Sequence, residues 1–150
     1  MKKIKIEVPD GKVAKWVNSV LTLVDDDVKV RIKTFEDACN ELGENHQYVR
    51  AYREWVRISY VGCEDVTTYM KLRIITAALN EGWEPQFVKG ELRWYVWFSN
   101  ECGGSVFAFA NGAGSNSYAD HGVRLALKNK ELAEYCGKQF IDIWCNYLFG

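Results

Sequence analysis

The chain has 150 residues, 48% of them hydrophobic, with a formal net charge of −1. That length suits one domain with a real core, and that composition excludes intrinsic disorder. The near-zero charge removes any global field that would draw the protein to nucleic acid or to an anionic membrane.

Lys3 to Val8 alternates charged and apolar residues, which predicts a half-buried strand. Pro9-Asp10-Gly11 marks a turn, and Val13, Ala14, Trp16 and Val17 fit one short helical face. Val20–Val24 predicts a second strand. It is ended by Asp25-Asp26-Asp27, whose like charges repel and demand solvent. Residues 1–27 therefore read as a small β-(short helix)-β unit.

Thr34-Phe35-Glu36-Asp37 has the form of a capping box, and the helix that it opens should stop near Gly43. A second helix follows, with Tyr48, Tyr52, Trp55, Val56 and Ser59 on one stripe and Gly62 as its breaker. A third runs from about Asp65 to Asn80. Leu72, Ile74, Ile75, Ala77, Ala78 and Leu79 make its later part apolar nearly all round, so it should be the most buried helix, ended by Gly82.

The period then changes. Leu92–Phe98, Ser105–Ala110 and Gly122–Leu127 predict three strands, with a polar loop from Asn111 to His121 before the last of them. Asn129 is placed to cap a final helix whose apolar stripe is Leu132, Cys136, Phe140, Ile143, Trp144 and Tyr147. The expected architecture is a single α+β domain over 1–150. It comprises a β unit (1–27), a helical part (34–82), an antiparallel β meander (90–128) and a closing helix (129–148).

Cys39, Cys63, Cys102, Cys136 and Cys145 are odd in number and include no Cys-x-x-Cys pair. This argues against a disulfide scaffold or a zinc knuckle and for a reducing compartment. The two histidines, His46 and His121, lack partners at zinc-ligand spacing. No metal and no cofactor is expected. The basic amino terminus is not followed by an apolar run of signal-peptide type, and no run reaches the ~18 residues that span a bilayer. The expected location is the host cytoplasm or a virion, without membrane association.

Four chemistry-bearing patterns stand out. Cys102-Gly103-Gly104 with Asp120-His121 holds the minimum for a thiol nucleophile, but no family signature surrounds it, and two turn residues and a surface cysteine account for all of it. Gly112-Ala113-Gly114 is not a phosphate loop, because no helix follows it; Asn111-Gly112 fits hairpin-turn chemistry instead. Arg50, Arg53 and Arg57 share one helix face able to meet phosphates, with Glu54 beside them. Finally, Arg93, Tyr95 and Trp97 face away from Leu92, Trp94, Val96 and Phe98 along one strand. If that face is open, its aromatics suit ligand contact, and the 111–121 loop has the Tyr/Ser/Gly/Asn mixture of paratope loops. The ligand-binding set is then Tyr95, Trp97, Asn111, Asn116, Tyr118, Asp120 and His121.

Arg31-Ile32-Lys33-Thr34-Phe35-Glu36-Asp37-Ala38-Cys39, the stretch from Leu72 to Pro85, and Gly122–Leu127 leading into Glu131–Phe140 carry a resemblance. Together they resemble a family of small uncharacterised proteins encoded by phages and prophages of Bacteroides-type gut bacteria. The resemblance implies a phage setting and brings no catalytic residues. Trp94–Phe98, the 111–121 loop and Gly122-Val123-Arg124 are also similar in order to the end of C-type-lectin-like domains, although a long helix follows here. The expectation is a non-enzymatic binding protein, a virion component or a host-directed factor. Its partner is expected to be a protein or virion component, or a second copy of the chain. The alternative is a nucleic-acid-associated phage protein using Arg50, Arg53 and Arg57.

Overall fold

The computed structural model describes residues 5–17, 19–58, 63–86, 88, 90–98, 111–115 (backbone only) and 123–150. Its class is α+β, with helices and antiparallel strand pairs around one core cluster.

The first unit is a hairpin, not a β-helix-β unit. β1 (Lys12–Val17) pairs antiparallel with β2 (Val20–Asp25), in a register that sets Val13 opposite Val24 and Trp16 opposite Leu21. The 13–17 apolar spacing fits a helix as well as a strand. The β-branched partner segment decides it, because cross-strand pairing rewards Val and Trp in extended backbone. Ser19 takes a left-handed φ of 64° next to the turn. Residues 5–9 form no strand, so the described part of the 3–8 prediction does not hold. One hairpin face, with Val13, Lys15, Thr22 and Val24, is half-buried; the other carries Trp16 and Leu23 into solvent.

Two of the three aspartates have separate duties. Asp25 pairs with Lys12 at 2.7 Å. Asp27 accepts the Lys29 N–H as N-cap of α1 (Val28–Arg31), a short helix absent from the sequence prediction. The Arg31 guanidinium reaches Glu41 and Glu81, Lys15 reaches the same two carboxylates, and Lys128 adds a third cation to Glu81 at 3.1 Å. This network ties the hairpin to the helical body.

α2 (Phe35–Leu42) begins with the expected capping box: Thr34 Oγ1 accepts the Asp37 N–H at 3.1 Å while Asp37 accepts the Thr34 N–H at 2.8 Å. It stops at Gly43, where φ is +83°. α3 (Gln47–Ile58) buries Val49 and Tyr52, whereas Val56, placed on the inner stripe by the sequence reading, is 51% exposed. Ser59 and Gly62 lie outside the described residues. α4 (Glu64–Asn80) is the central helix, with Leu72, Ile74, Ile75, Ala78 and Leu79 fully buried. Glu81 ends it in the left-handed region and Gly82 follows at φ +85°.

The meander differs from the prediction. β3 (Arg93–Trp97) pairs antiparallel with β4 (Asn111–Ser115), a segment expected to be loop. Asn111-Gly112 is therefore not a turn; it lies opposite Trp97 and Val96. Gly112 and Gly114 oppose Val96 and Trp94, the β3 residues packed on the core. Residues without side chains give no periodic signal, yet their bare backbone lets a helix approach the sheet. Ser105–Ala110 lies outside the described residues. The predicted 122–127 strand is a 3-10 turn over Val123–Leu125, followed by a single bridge from Leu127 to Trp94.

The closing helix is two helices, α5 (Lys130–Gln139) and α6 (Ile141–Phe149). Asn129 caps the first as expected, its Oδ1 accepting the Leu132 N–H at 2.9 Å. Phe140 breaks the run at φ −113°, ψ 32°, and its ring is buried edge-on to Tyr135. The Tyr135 hydroxyl and Gln139 amide donate to the carbonyls of Ile32 and Lys33.

Candidate functional site

Three places on the molecule can do chemistry of recognition. The first is the β3–β4 pair. Along the face that alternates away from Trp94 and Val96, coverage falls steadily: Arg93 is 3% exposed, Tyr95 is half-buried and Trp97 is 57% exposed. The face is therefore open at its Trp97 end and closed at its Arg93 end. Leu92, expected on the core side, is exposed. Trp97 lies opposite Asn111, and Tyr95 opposite Ala113, so small partner residues flank the exposed indole. The strand beneath is rigidly held, because Trp94 exchanges both backbone hydrogen bonds with Leu127 (3.0 and 2.7 Å) and Phe98 packs near Trp144 with ring centroids 5.8 Å apart. Asn116, Tyr118, Asp120 and His121 lie outside the described residues, as do Cys102, Gly103 and Gly104.

The second place is α3. Arg53 is clasped by Glu36 through both of its Nη atoms, at 3.2 and 2.7 Å, and Nη2 also reaches Glu44 at 3.1 Å. The Arg53 hydrogen bonds hold the Glu36 carboxyl below its ordinary range. Arg57 pairs with Glu54 one turn away. Arg50 is exposed, with no ion pair among the described residues. Two of the three guanidiniums are thus already neutralised by carboxylates, so the arginine face is not a continuous cation surface.

The third place was not visible in the sequence. Beside α4 lies an open cleft of about 290 Å³ lined by Tyr48, Arg73, Thr76, Trp83, Pro85 and Arg124, with Ala77, Asn80, Glu84, Val123 and Ala126 completing it. Arg73 is fixed twice over: its guanidinium carbon lies 4.4 Å from the centre of the Tyr48 ring, and its Nη1 donates to the Arg124 carbonyl at 2.9 Å. Tyr48 is itself positioned by His46, whose Nδ1 accepts the Tyr48 N–H and whose ring stands edge-on 5.0 Å away. Four elements contribute residues separated by up to 78 positions, from Tyr48 to Ala126, and none of the spacings forms a motif; only the packing of the 123–126 segment on α4 assembles them.

Among the described residues no three His, Cys, Asp or Glu side chains gather as a metal site, and no helix is long and apolar enough to cross a membrane. No family model, curated protein or solved structure matches the chain.

Proposed function

We propose that the protein is a non-enzymatic binding protein of the phage type, a virion component or host-directed factor, that meets a partner protein through the open end of the β3–β4 pair. The observation that carries this reading is Trp97: a large, rigid, amphipathic side chain is held mostly in solvent on a strand whose other face is anchored in the core. Exposed indoles on rigid strands are costly to leave in water and are the residues that dominate interface energetics. Tyr95 and Asn111 flank it, and Asn116, Tyr118, Asp120 and His121 complete the proposed contact set. The carboxylate-clasped arginines of α3 support the nucleic-acid alternative less well.

The test places a photo-crosslinking amino acid at position 97 in one variant and at position 50 in another, in extract of phage-infected Bacteroides-type cells. The proposal expects one defined protein adduct from position 97, suppressed by excess unmodified protein but not by Trp97→Ala. An absent adduct at 97, or equal yields from both positions, overturns it, and a nucleic-acid adduct from position 50 favours the alternative.

A further inference from the structure

We infer that the cleft between α4, the 83–85 turn and the 123–126 segment is a binding site for a small aromatic anion, a planar ring bearing a carboxylate or phosphate. This inference stands independently of the proposed protein contact at Trp97.

Charge is the first argument. Arg31, Arg53, Arg57, Lys12, Lys15, Lys29, Lys128 and Lys130 are all engaged by carboxylates. Arg73 and Arg124, like Arg50, Lys5, Lys33, Lys71 and Lys138, have no carboxylate partner among the described residues, and these two arginines both line this one cleft. Arg73 uses a single N–H for the Arg124 carbonyl and one face for Tyr48. The rest of its planar fork is free to grip a two-oxygen anion, the geometry for which guanidinium is suited. Because stacking already fixes its orientation, little rotamer freedom remains to be lost on binding.

The second argument is an orphaned donor. Thr76 is 3% exposed, and its Oγ1 is buried with no hydrogen-bond partner, not even the carbonyl one turn back that a helical threonine usually finds. Buried polar groups without partners are rare in native structures because they lose their water and gain nothing. Thr76 lines the same cleft as the two arginines; its Oγ1 faces inward as it stands, and one χ1 step, which a helical threonine can make, would turn it toward a ligand oxygen.

The third argument is shape. Trp83, Pro85, Ala77 and Ala126 give the cleft apolar lining beside the arginines. At ~30 Å³ per water molecule the volume corresponds to roughly ten waters, room for one substituted ring. Glu84 places one carboxylate among the lining residues, against two guanidiniums, so the site favours an anion over a cation.

The experiment is calorimetric titration of the full chain with benzoate, phenyl phosphate, benzamide as the neutral isostere, and inorganic phosphate. Saturable binding of benzoate or phenyl phosphate below about 1 mM is expected, with benzamide and inorganic phosphate each at least about tenfold weaker. Whichever aromatic anion binds more tightly identifies the head group. Arg73→Gln should weaken that ligand about tenfold or more, and Arg73→Lys should recover only part, since charge without the fork remains. Thr76→Val should weaken it several-fold while leaving the melting temperature unchanged or higher, and Trp97→Ala should leave it unaltered. Absence of saturable binding by either aromatic anion, equal binding of benzamide, or full affinity in both folded Arg73→Gln and Thr76→Val overturns the inference.

Discussion

Replacing Asn80 with alanine should cost about 2–4 kcal/mol. Asn80 is the last residue of α4 and is 4% exposed. Its Nδ2 donates to the Ala126 carbonyl at 2.9 Å and its Oδ1 accepts the Lys128 N–H at 3.0 Å. Between them, Leu127 exchanges both of its backbone hydrogen bonds with Trp94. The segment 126–128 thus runs between a strand on one side and a single amide side chain on the other, which takes the place of a second strand. Ala126 is buried, so losing its partner exposes a desolvated carbonyl to a penalty of about 1–3 kcal/mol. Lys128 is only half-buried, and the loss there is about 0.5–1.5 kcal/mol. For a chain of this length each kcal/mol moves the midpoint by roughly 2–4 °C, so calorimetry should show a fall of about 5–15 °C. Asn80→Asp keeps the acceptor but turns a carboxylate toward the Ala126 carbonyl. Its deficit relative to the parent protein should narrow as pH falls, because a protonated carboxyl can again donate. Urea unfolding that places Asn80→Ala within about 0.5 kcal/mol of the parent would refute the reasoning.

Ile75→Ala and Leu79→Ala remove fully buried side chains from α4 and should each cost about 2–5 kcal/mol in urea unfolding; retained stability in both would show that α4 is not the core helix. Burial alone would raise the Glu81 carboxyl, but hydrogen bonds from Lys128, Arg31 and Lys15 overcome it and hold the group at about 2. Its contribution is present above the ordinary carboxylate range and is lost as pH falls from about 4.5 toward 2, so Glu81→Gln should flatten the acid limb of the melting profile; an unchanged limb counts against the network. Burial pushes the Cys136 thiol up to about 12 and the Cys39 thiol to about 11, while Cys63 is exposed. Brief alkylation at pH 8 followed by peptide mass spectrometry should label Cys63 and spare the other two, and comparable labelling of Cys136 would mean that the core opens readily.

What could be read from the sequence was local. The Thr34–Asp37 capping box, the Asn129 cap and the stop at Gly43 depend on neighbours within four residues, and all three stand as expected. The burial of the later part of α4 was legible because that part is apolar nearly all round. At the candidate interface, alternation along β3 set Arg93, Tyr95 and Trp97 on one face, but it could not show that this face is open at Trp97 and closed over Arg93. Coverage comes from elements distant in the chain.

Tertiary structure decided whatever depended on a partner. The 13–17 spacing was ambiguous until β2 lay beside it. Gly112-Ala113-Gly114 carried no periodic signal, yet β3 supplies its pairing. Phe140 lies in the middle of a continuous helical stripe, yet its backbone leaves the helix at φ −113°, ψ 32° while its ring is buried beside Tyr135. The cleft holding Arg73, Thr76, Trp83 and Arg124 forms where the 123–128 backbone is held against α4, by Asn80 and Arg73 among other contacts. The sequence by itself determined caps, stops and the most apolar helix, since these rest on short-range hydrogen bonds and on composition. Pairing, coverage and clefts were left to the fold, since each depends on groups that only packing brings together.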